Sequence, residues 1–510
     1  MKSKLLLLIM HFMALLPCAL HAQMSVDYEG TMTLNAGNNE FAPYYIASNR
    51  GGTLTQQYST LLSGKLTHST DTTRRFAYGF GAELWGGYTS AVAYDHYDAD
   101  RSQWSTRELC PARFWVQQLY AEAKYRSVLL TVGQKQHQSI VVNNCLGSGD
   151  LTWSENSRPE PGVSLGFVNF QPMPFTQGWV QIAGQIGYYA STGGKWLKSH
   201  FSRYAPFITT SQLFHYKNIY LRTNPDKRLV FTIGMQDGCQ FSGNVKEYTD
   251  GKLTNHLKTK CDIGDFFRVF IPGSGGDNAG DKFYEGNHVG SWDLMLDYKL
   301  TPAVTLRAYY QSPWEDGSGI GKQNGFDGVW GLELRRAHRA PVTGIVVEYI
   351  DFTNQSGPLH WAPGDVPGTK ITDSATGADD YYNNYTYNGY QTLGMSIGSP
   401  FIKSPLYNTD GYMRYTDNMM RGFHMGVSGY ITAQLSYRVL GSWRKSWGTP
   451  FFPRVKPVEQ TSLLAEVGFV PPKVPQLSLN LQAALDRGSL YGNNFGSLLS
   501  VSYHGNLTFK

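Results

Sequence analysis

Short segments in which apolar and polar side chains alternate, with no long apolar run after the first residues, set the limits on how this chain can fold. Near the C-terminus Leu477, Leu479, Leu481, Ala483 and Leu485 alternate with Ser478, Asn480, Gln482, Ala484 and Asp486. Leu499, Val501, Tyr503, Leu507 and Phe509 alternate in the same way with Ser500, Ser502, His504, Asn506 and Thr508, and Trp292, Leu294, Leu296 and Tyr298 with Asp293, Met295, Asp297 and Lys299. Successive side chains of a strand point to opposite faces, so each segment has one greasy and one wet face. After residue 22 nothing approaches the roughly 20 apolar residues that a membrane-crossing helix needs. Even Leu463-Leu464-Ala465 is cut by Glu466. Two architectures fit: a soluble β-protein with its apolar faces inward, or a β-barrel with them outward, which crosses a bilayer without any long apolar run.

Composition favours the barrel. Charged residues make up 16% of the chain and aromatic residues 14%, against about a quarter charged in ordinary soluble domains. Aromatic girdles at two membrane interfaces consume such a supply. The first residues read as an export signal: Lys2 and Lys4 precede an apolar run from Leu5 to Leu16, and Ala22 offers a small residue for cleavage. Pro17 makes Cys18 a poor site for lipid attachment. The expectation is a signal peptide over 1–22 and one barrel domain over 23–510. The net charge of +5, which falls to +3 when Lys2 and Lys4 leave, is too mild to argue for nucleic acid as a partner.

The pattern predicts strands near 24–35, 53–68, 75–89, 113–125, 127–136, 163–170, 179–190, 213–222 and 229–237. Nine more are expected near 289–300, 303–312, 327–336, 343–353, 421–430, 433–445, 461–469, 476–487 and 495–508. Tight connections such as Tyr125-Arg126-Ser127, Asn224-Pro225-Asp226 and Leu300-Thr301-Pro302 alternate with longer ones. With every tight turn in the periplasm and every longer loop outside, both termini fall in the periplasm and the strand number is even, as outer-membrane barrels require. That parity holds only when the strand-like stretch Gln391–Gly398 belongs to an outer loop. The fold class read from the chain is all-β: a single 18-stranded antiparallel outer-membrane β-barrel with short periplasmic turns and long extracellular loops.

Several stretches, in order along nearly the whole chain, resemble the Wzi capsule-assembly family, most of all its Bacteroides-like versions. They are Phe41-Ala42-Pro43-Tyr44-Tyr45 with Ala47-Ser48-Asn49-Arg50-Gly51, Trp153-Ser154-Glu155-Asn156-Ser157-Arg158-Pro159, and Gly286-Asn287-His288-Val289-Gly290-Ser291. Trp314-Glu315-Asp316-Gly317-Ser318-Gly319, Asp327-Gly328-Val329-Trp330-Gly331, Tyr381-Tyr382-Asn383-Asn384, Gly398-Ser399-Pro400 and Ser404-Pro405 complete the set. The resemblance implies an 18-stranded barrel, an occluded lumen and a lectin role for capsular polysaccharide. It also implies a helical bundle closing the periplasmic end, for which the short turns of this chain leave little room.

An acidic polysaccharide calls for cations against its carboxylates and flat rings against its sugar faces, on exposed loops. Loop 191–212 supplies both, and Trp196, Lys198, Arg203 and Tyr204 are the candidate polysaccharide-binding residues. An aromatic-rich loop beside a membrane can equally be an interfacial anchor. Loop 238–288 adds Lys246, Lys252, His256, Lys258 and Lys260, partly balanced by Glu247, Asp250 and Asp262.

No catalytic residues are assigned. Glu315 and Asp316 are adjacent in a Gly-rich turn, where neighbours shape the turn, whereas glycoside hydrolysis needs carboxyl groups about 5 Å or more apart across a sugar. Trp153, Glu155, Arg158 and Glu160 read as a loop fold. No Ser–His constellation can be placed, metal spacings such as HExxH are absent, and neither cofactor nor metal is expected. Glu83, Glu122, Lys124, Asp293, Asp297, Lys299, Arg307, Glu333, Arg335, Glu348, Arg438, Arg444 and Asp486 fall on inward faces, and such mixed signs suit a lumen filled by paired charges. Cys110, Cys145, Cys239 and Cys261 lie in expected outer loops, where at least one disulfide, Cys239–Cys261 first, is expected. The function read from the chain is a non-enzymatic outer-membrane lectin for capsular polysaccharide, partnered by outer-membrane lipid. Its rival is a diffusion porin or carbohydrate-selective channel.

Overall fold

The computed structural model describes residues 24–98, 101–200, 207–258, 261–270, 286–315, 317–357, 360–362, 374–376 and 378–509. The expected signal peptide over 1–22 therefore lies outside the described residues. The strands are β1 Met24–Phe41, β2 Gln56–His68, β3 Phe76–Thr89, β4 Phe114–Tyr125, β5 Val128–Gln134, and β6 Gly162–Phe167 continued by Gln171–Pro172. They go on with β7 Val180–Ala190, β8 Leu213–Thr223, β9 Leu229–Phe241, β10 Asn287–Thr301, β11 Val304–Trp314 and β12 Gly328–Arg336. The last are β13 Gly344–Asp351, β14 Met420–Tyr430, β15 Leu435–Gly448, β16 Pro453–Phe469, β17 Leu477–Gly488 and β18 Asn494–Phe509. Each pairs antiparallel with its neighbours in sequence, and β1 pairs with β18 from Met24↔Phe509 to Gly37↔Gly496, which closes an 18-stranded barrel of the outer-membrane kind.

The alternation is inside-out. On β17, Gln482, Ala484 and Asp486 are buried in the lumen while Leu481 lies 58% exposed on the outer wall. The outer wall carries exposed aromatic rings towards both ends: Tyr58, Tyr88, Phe114 and Phe423 at one, Phe76, Tyr125, Trp179 and Phe509 at the other, the two interfacial belts of a membrane barrel. Short and long connections alternate as the sequence predicts as far as β15, but the last two outer connections, 449–452 and 489–493, are as short as the turns. Among the described residues every helix sits in a long loop. No helical bundle stands at the short-turn end among the described residues, which corrects that implication of the resemblance.

The start of β16 differs from expectation for a physical reason. β16 begins at Pro453 instead of 461 because its first residues leave the wall as a ribbon paired only with β15 and are exposed on both faces, so they carry no alternation to read. Pro457 is tolerated there because that edge needs no partner. Gln391–Thr392 and Met395–Ser396 form a small hairpin inside a long loop and are no part of the wall. The disulfide expectation is corrected as well. No disulfide is formed among the described residues: Cys239 is buried at the long-loop end of β9 with Phe241 and Val269, whereas Cys110, Cys145 and Cys261 are exposed.

Candidate functional site

Three long loops turn inward and occupy much of the lumen. The first, 42–55, enters through the short helix Tyr44–Ala47, all four residues of which are buried. Tyr44 donates its backbone N–H to Asp486 at 2.9 Å, Tyr45 Oη lies 2.8 Å from Nδ1 of His424, and Arg50 donates to Gln482 at 2.6 Å. Gly51 is required in this loop, because its φ is +60° and a Cβ would stand 2.1 Å from the Gln117 amide. The second loop, 135–161, is bound to the wall through Ser148 N–H to Glu348 at 2.7 Å and Asn143 to Glu333 at 2.7 Å. The third, 378–419, lies on the second: Tyr390 donates to the Thr152 carbonyl at 2.9 Å and Asn156 to the Ser396 carbonyl at 3.1 Å. Gly398 lets the two loops touch, since a Cβ there would stand 2.2 Å from the Leu151 carbonyl oxygen.

Part of the inward charge is ion-paired, whereas Glu83, Lys124, Asp293, Lys299, Arg444 and Asp486 are held by hydrogen bonds instead. Arg307 bridges to Asp297 at 2.7 Å, Arg335 reaches the same carboxylate at 3.1 Å, Lys135 meets Glu122 at 2.5 Å and Arg438 pairs with Glu466. Trp153, Glu155, Arg158 and Glu160 act as loop residues. Trp153 stacks on His137 with ring centres 4.6 Å apart, Arg158 covers Trp115, and Glu160 accepts from Thr392 at 3.0 Å. Glu315 accepts the Tyr382 N–H at 2.5 Å, so it too shapes a loop. Asp316 lies outside the described residues.

Glu155 differs from its neighbours. No described residue makes a side-chain hydrogen bond to its carboxyl, and burial alone pushes it up to about 7. The folded state thus holds this proton more tightly than the unfolded chain does, so the contribution is full below the ordinary glutamate value and is lost as pH rises towards 7. Glu155→Gln is expected to gain thermal stability relative to the parent between about pH 4.5 and about pH 7, by up to a few kcal/mol, and to match it at lower pH. Melting both proteins in detergent micelles across that range measures it, and parallel pH profiles contradict it.

At the long-loop end, Phe207–Thr210, Asn244–Thr249 and Lys252–Lys258 form a three-stranded sheet that the sequence pattern did not reveal. This sheet joins the two candidate loops. Lys198, from the helix Gly194–His200, faces Lys246, Tyr248 and His256 across a cleft of about 410 Å³. Among the described residues Lys198, Lys246 and His256 have no ion-pair partner. Trp196 stacks on His200 with ring centres 4.1 Å apart and lies against Gly394 of the inward loop, so most of its ring is engaged in packing. Arg203, Tyr204 and Lys260 lie outside the described residues. A second outer cleft of about 360 Å³ sets Asp95 and Asp410 beside Trp104 and Tyr412. Among the described residues no cluster of three or more His, Cys, Asp or Glu side chains could hold a metal ion.

No family model matches the chain, and no curated protein matches it in sequence. Solved structures do. The chain is similar to Wzi of Escherichia coli, described as an outer-membrane protein involved in group 1 capsule assembly and a carbohydrate-binding β-barrel. The TM-score is 0.53 at 12% identity, over 93% of this chain and 83% of that one. It is also similar to OccAB2 of Acinetobacter baumannii, with a TM-score of 0.48 at 8% identity over 95% of this chain and 98% of that one. At these identities the likeness is one of fold.

Proposed function

We propose that this chain is a non-enzymatic outer-membrane lectin that binds and organises capsular polysaccharide at the cell surface. It is exported with a signal peptide cleaved after Ala22 and is a Wzi-family protein of the Bacteroides-like branch. The observation that carries this reading is the inward folding of the three long loops. They occupy the lumen and leave, on the outer surface, a cationic cleft built on ordered strands. Lys198 and Lys246, which have no ion-pair partner among the described residues, present positive charge to sugar carboxylates beside the His256 ring, and the sequence of the same loop 191–212 supplies Trp196, Arg203 and Tyr204. A polymer can lie across such a face without entering the barrel, which is the requirement for holding it at the surface.

Lys198→Ala/Lys246→Ala/His256→Ala is expected to reach the surface in normal amounts and to shed most of the capsule into the medium. Retention by the parent is expected to weaken with salt, because exposed charges are screened over about 10 Å at 0.1 M. Normal capsule on cells carrying the triple variant contradicts the assignment. The second reading, a diffusion porin or carbohydrate-selective channel, draws on a cavity left in the lumen. Steady conductance of the parent in planar bilayers is its signature.

A further inference from the structure

The inward loops do not fill the lumen completely. A cavity of about 780 Å³ remains along β2–β8, running from Asn49 and Glu155 of the loops down to Lys65, Leu129 and Phe170 beside the short turns. Its volume falls within the range of about 300–1,000 Å³ typical of ligand sites. Its lining is unlike a greasy pocket and unlike an ion path. Trp85 and Trp115 stack with ring centres 6.1 Å apart and planes 9° from parallel, and the outer indole, Trp85, is half-buried at the cavity wall. The acidic groups near these rings are already satisfied: Glu83 accepts from Trp85 and Gln118, each at 2.6 Å, and Glu122 accepts from Lys135 and Thr131, while the Arg158 guanidinium covers the Trp115 ring instead of lining the cavity. What remains open is largely uncharged. The Gln185 and Gln138 amides have no hydrogen-bond partner among the described residues, and Lys65 and Glu155 have no ion-pair partner among them.

A flat indole beside unengaged amides, in a cavity of little net charge, matches the two surfaces of a pyranose ring: C–H groups on its face and hydroxyls around its edge. We propose that this lumenal cavity is a second saccharide site, entered from the short-turn end and taking a short stretch of neutral oligosaccharide. In the proposed orientation that end faces the periplasm, so the protein holds sugar on both sides of its plug. Trp85 stacks on one ring and Gln185 hydrogen-bonds its hydroxyls. The inference goes beyond the outer-surface reading, and the two fail separately.

The test is a titration of the purified full-length barrel in detergent micelles with maltohexaose, cellohexaose and mannohexaose, and with an oligogalacturonate as the acidic counterpart. Calorimetry and tryptophan fluorescence read the binding. At least one neutral hexasaccharide is expected to bind. Gln185→Ala and Trp85→Ala are each expected to weaken it by about tenfold or more, the loss of a good hydrogen bond or stacking contact. Gln185→Trp, which fills the space, is expected to abolish it, with circular dichroism confirming the barrel. Lys198→Ala/Lys246→Ala is expected to leave this binding unchanged. The proposal is overturned by absence of binding for every neutral probe, by preference for oligogalacturonate, or by Gln185 variants that bind like the parent.

Discussion

Replacing Asp150 with Ala is expected to unlock the lumen while the barrel stays closed. Asp150 is buried in the second inward loop, and its carboxylate accepts the backbone N–H groups of Thr152 at 2.9 Å and Trp153 at 3.3 Å and the hydroxyl of Ser139. It also takes the side-chain amide of Gln236 at 3.1 Å and that of Gln311 at 3.1 Å. Those same amides reach Asp293 on β10, at 2.9 Å and 3.1 Å. Two strands of wall and one loop are therefore knotted through a single carboxylate. Removing this acceptor leaves the Thr152 and Trp153 N–H groups without it, at about 1–3 kcal/mol each, while Gln236 and Gln311 keep Asp293. The barrel's own ladders do not involve the Asp150 side chain, so the cost falls on the loop. The parent is expected to show no steady conductance in planar bilayers, and Asp150→Ala to show stable steps, with new protease cutting between 139 and 160. Asp150→Asn keeps an acceptor for the backbone N–H groups and is expected to fall between them. The competing hold on this loop is aromatic: Trp153 lies on His137 and edge-on to Tyr216 at 4.8 Å and Tyr189 at 5.0 Å. Truncating a buried tryptophan costs about 3–5 kcal/mol. A closed, protease-resistant Asp150→Ala would assign the lock to that ring.

The wall of this protein was legible in its sequence because a membrane barrel imposes a period of two on every strand, and lipid outside with polar lumen inside keeps the two faces chemically distinct. Parity then disposed of Gln391–Gly398, which the structure places in a loop hairpin. The stretches that carry the family resemblance proved to be mostly the plug: Tyr44 to Gly51, Trp153 to Pro159, and Tyr381 to Pro405 are largely buried inside the barrel. Their composition, rich in Asn, Ser, Gly and Tyr, has no period, because each residue answers to a partner far away in sequence. Tyr390 meets Thr152 and Asn156 meets Ser396. No local rule predicts such pairs. The outer sheet was missed for a different reason. Its strands are four to seven residues long, too short for an alternation to mark them, and the apposition of Lys198 with Lys246 and His256 became visible only when the two loops were seen side by side.

Arg444 is the place where charge and shape can be separated experimentally. It is fully buried on β15, and its guanidinium carbon lies 3.9 Å from the ring centre of Tyr44, 4.3 Å from Phe401 and 5.5 Å from Tyr491. It donates to the Phe401 carbonyl at 2.9 Å and to Ser442 at 3.2 Å, and no described carboxylate pairs with it. The residue thus ties the first inward loop, through Tyr44, to the third, through Phe401. A planar, weakly hydrated cation suits a cage of rings, where each contact contributes about 2 kcal/mol when desolvated. Arg444→Ala is expected to be the most damaging substitution in the lumen, at about 3–5 kcal/mol, since it leaves a cavity and an orphaned carbonyl together. Arg444→Met fills the volume and removes the buried charge, and that relief offsets most of the lost ring contacts, so the net cost is about 1–3 kcal/mol. Arg444→Lys keeps the charge but sets a strongly hydrated ammonium in a slot shaped for a plane, and it is expected to melt below Arg444→Met. Thermal unfolding in micelles gives the order, and protease access to 42–55 and 398–407 shows whether both loops loosen together. If Lys is instead the best tolerated of the three, the cage recognises charge and its planarity is incidental.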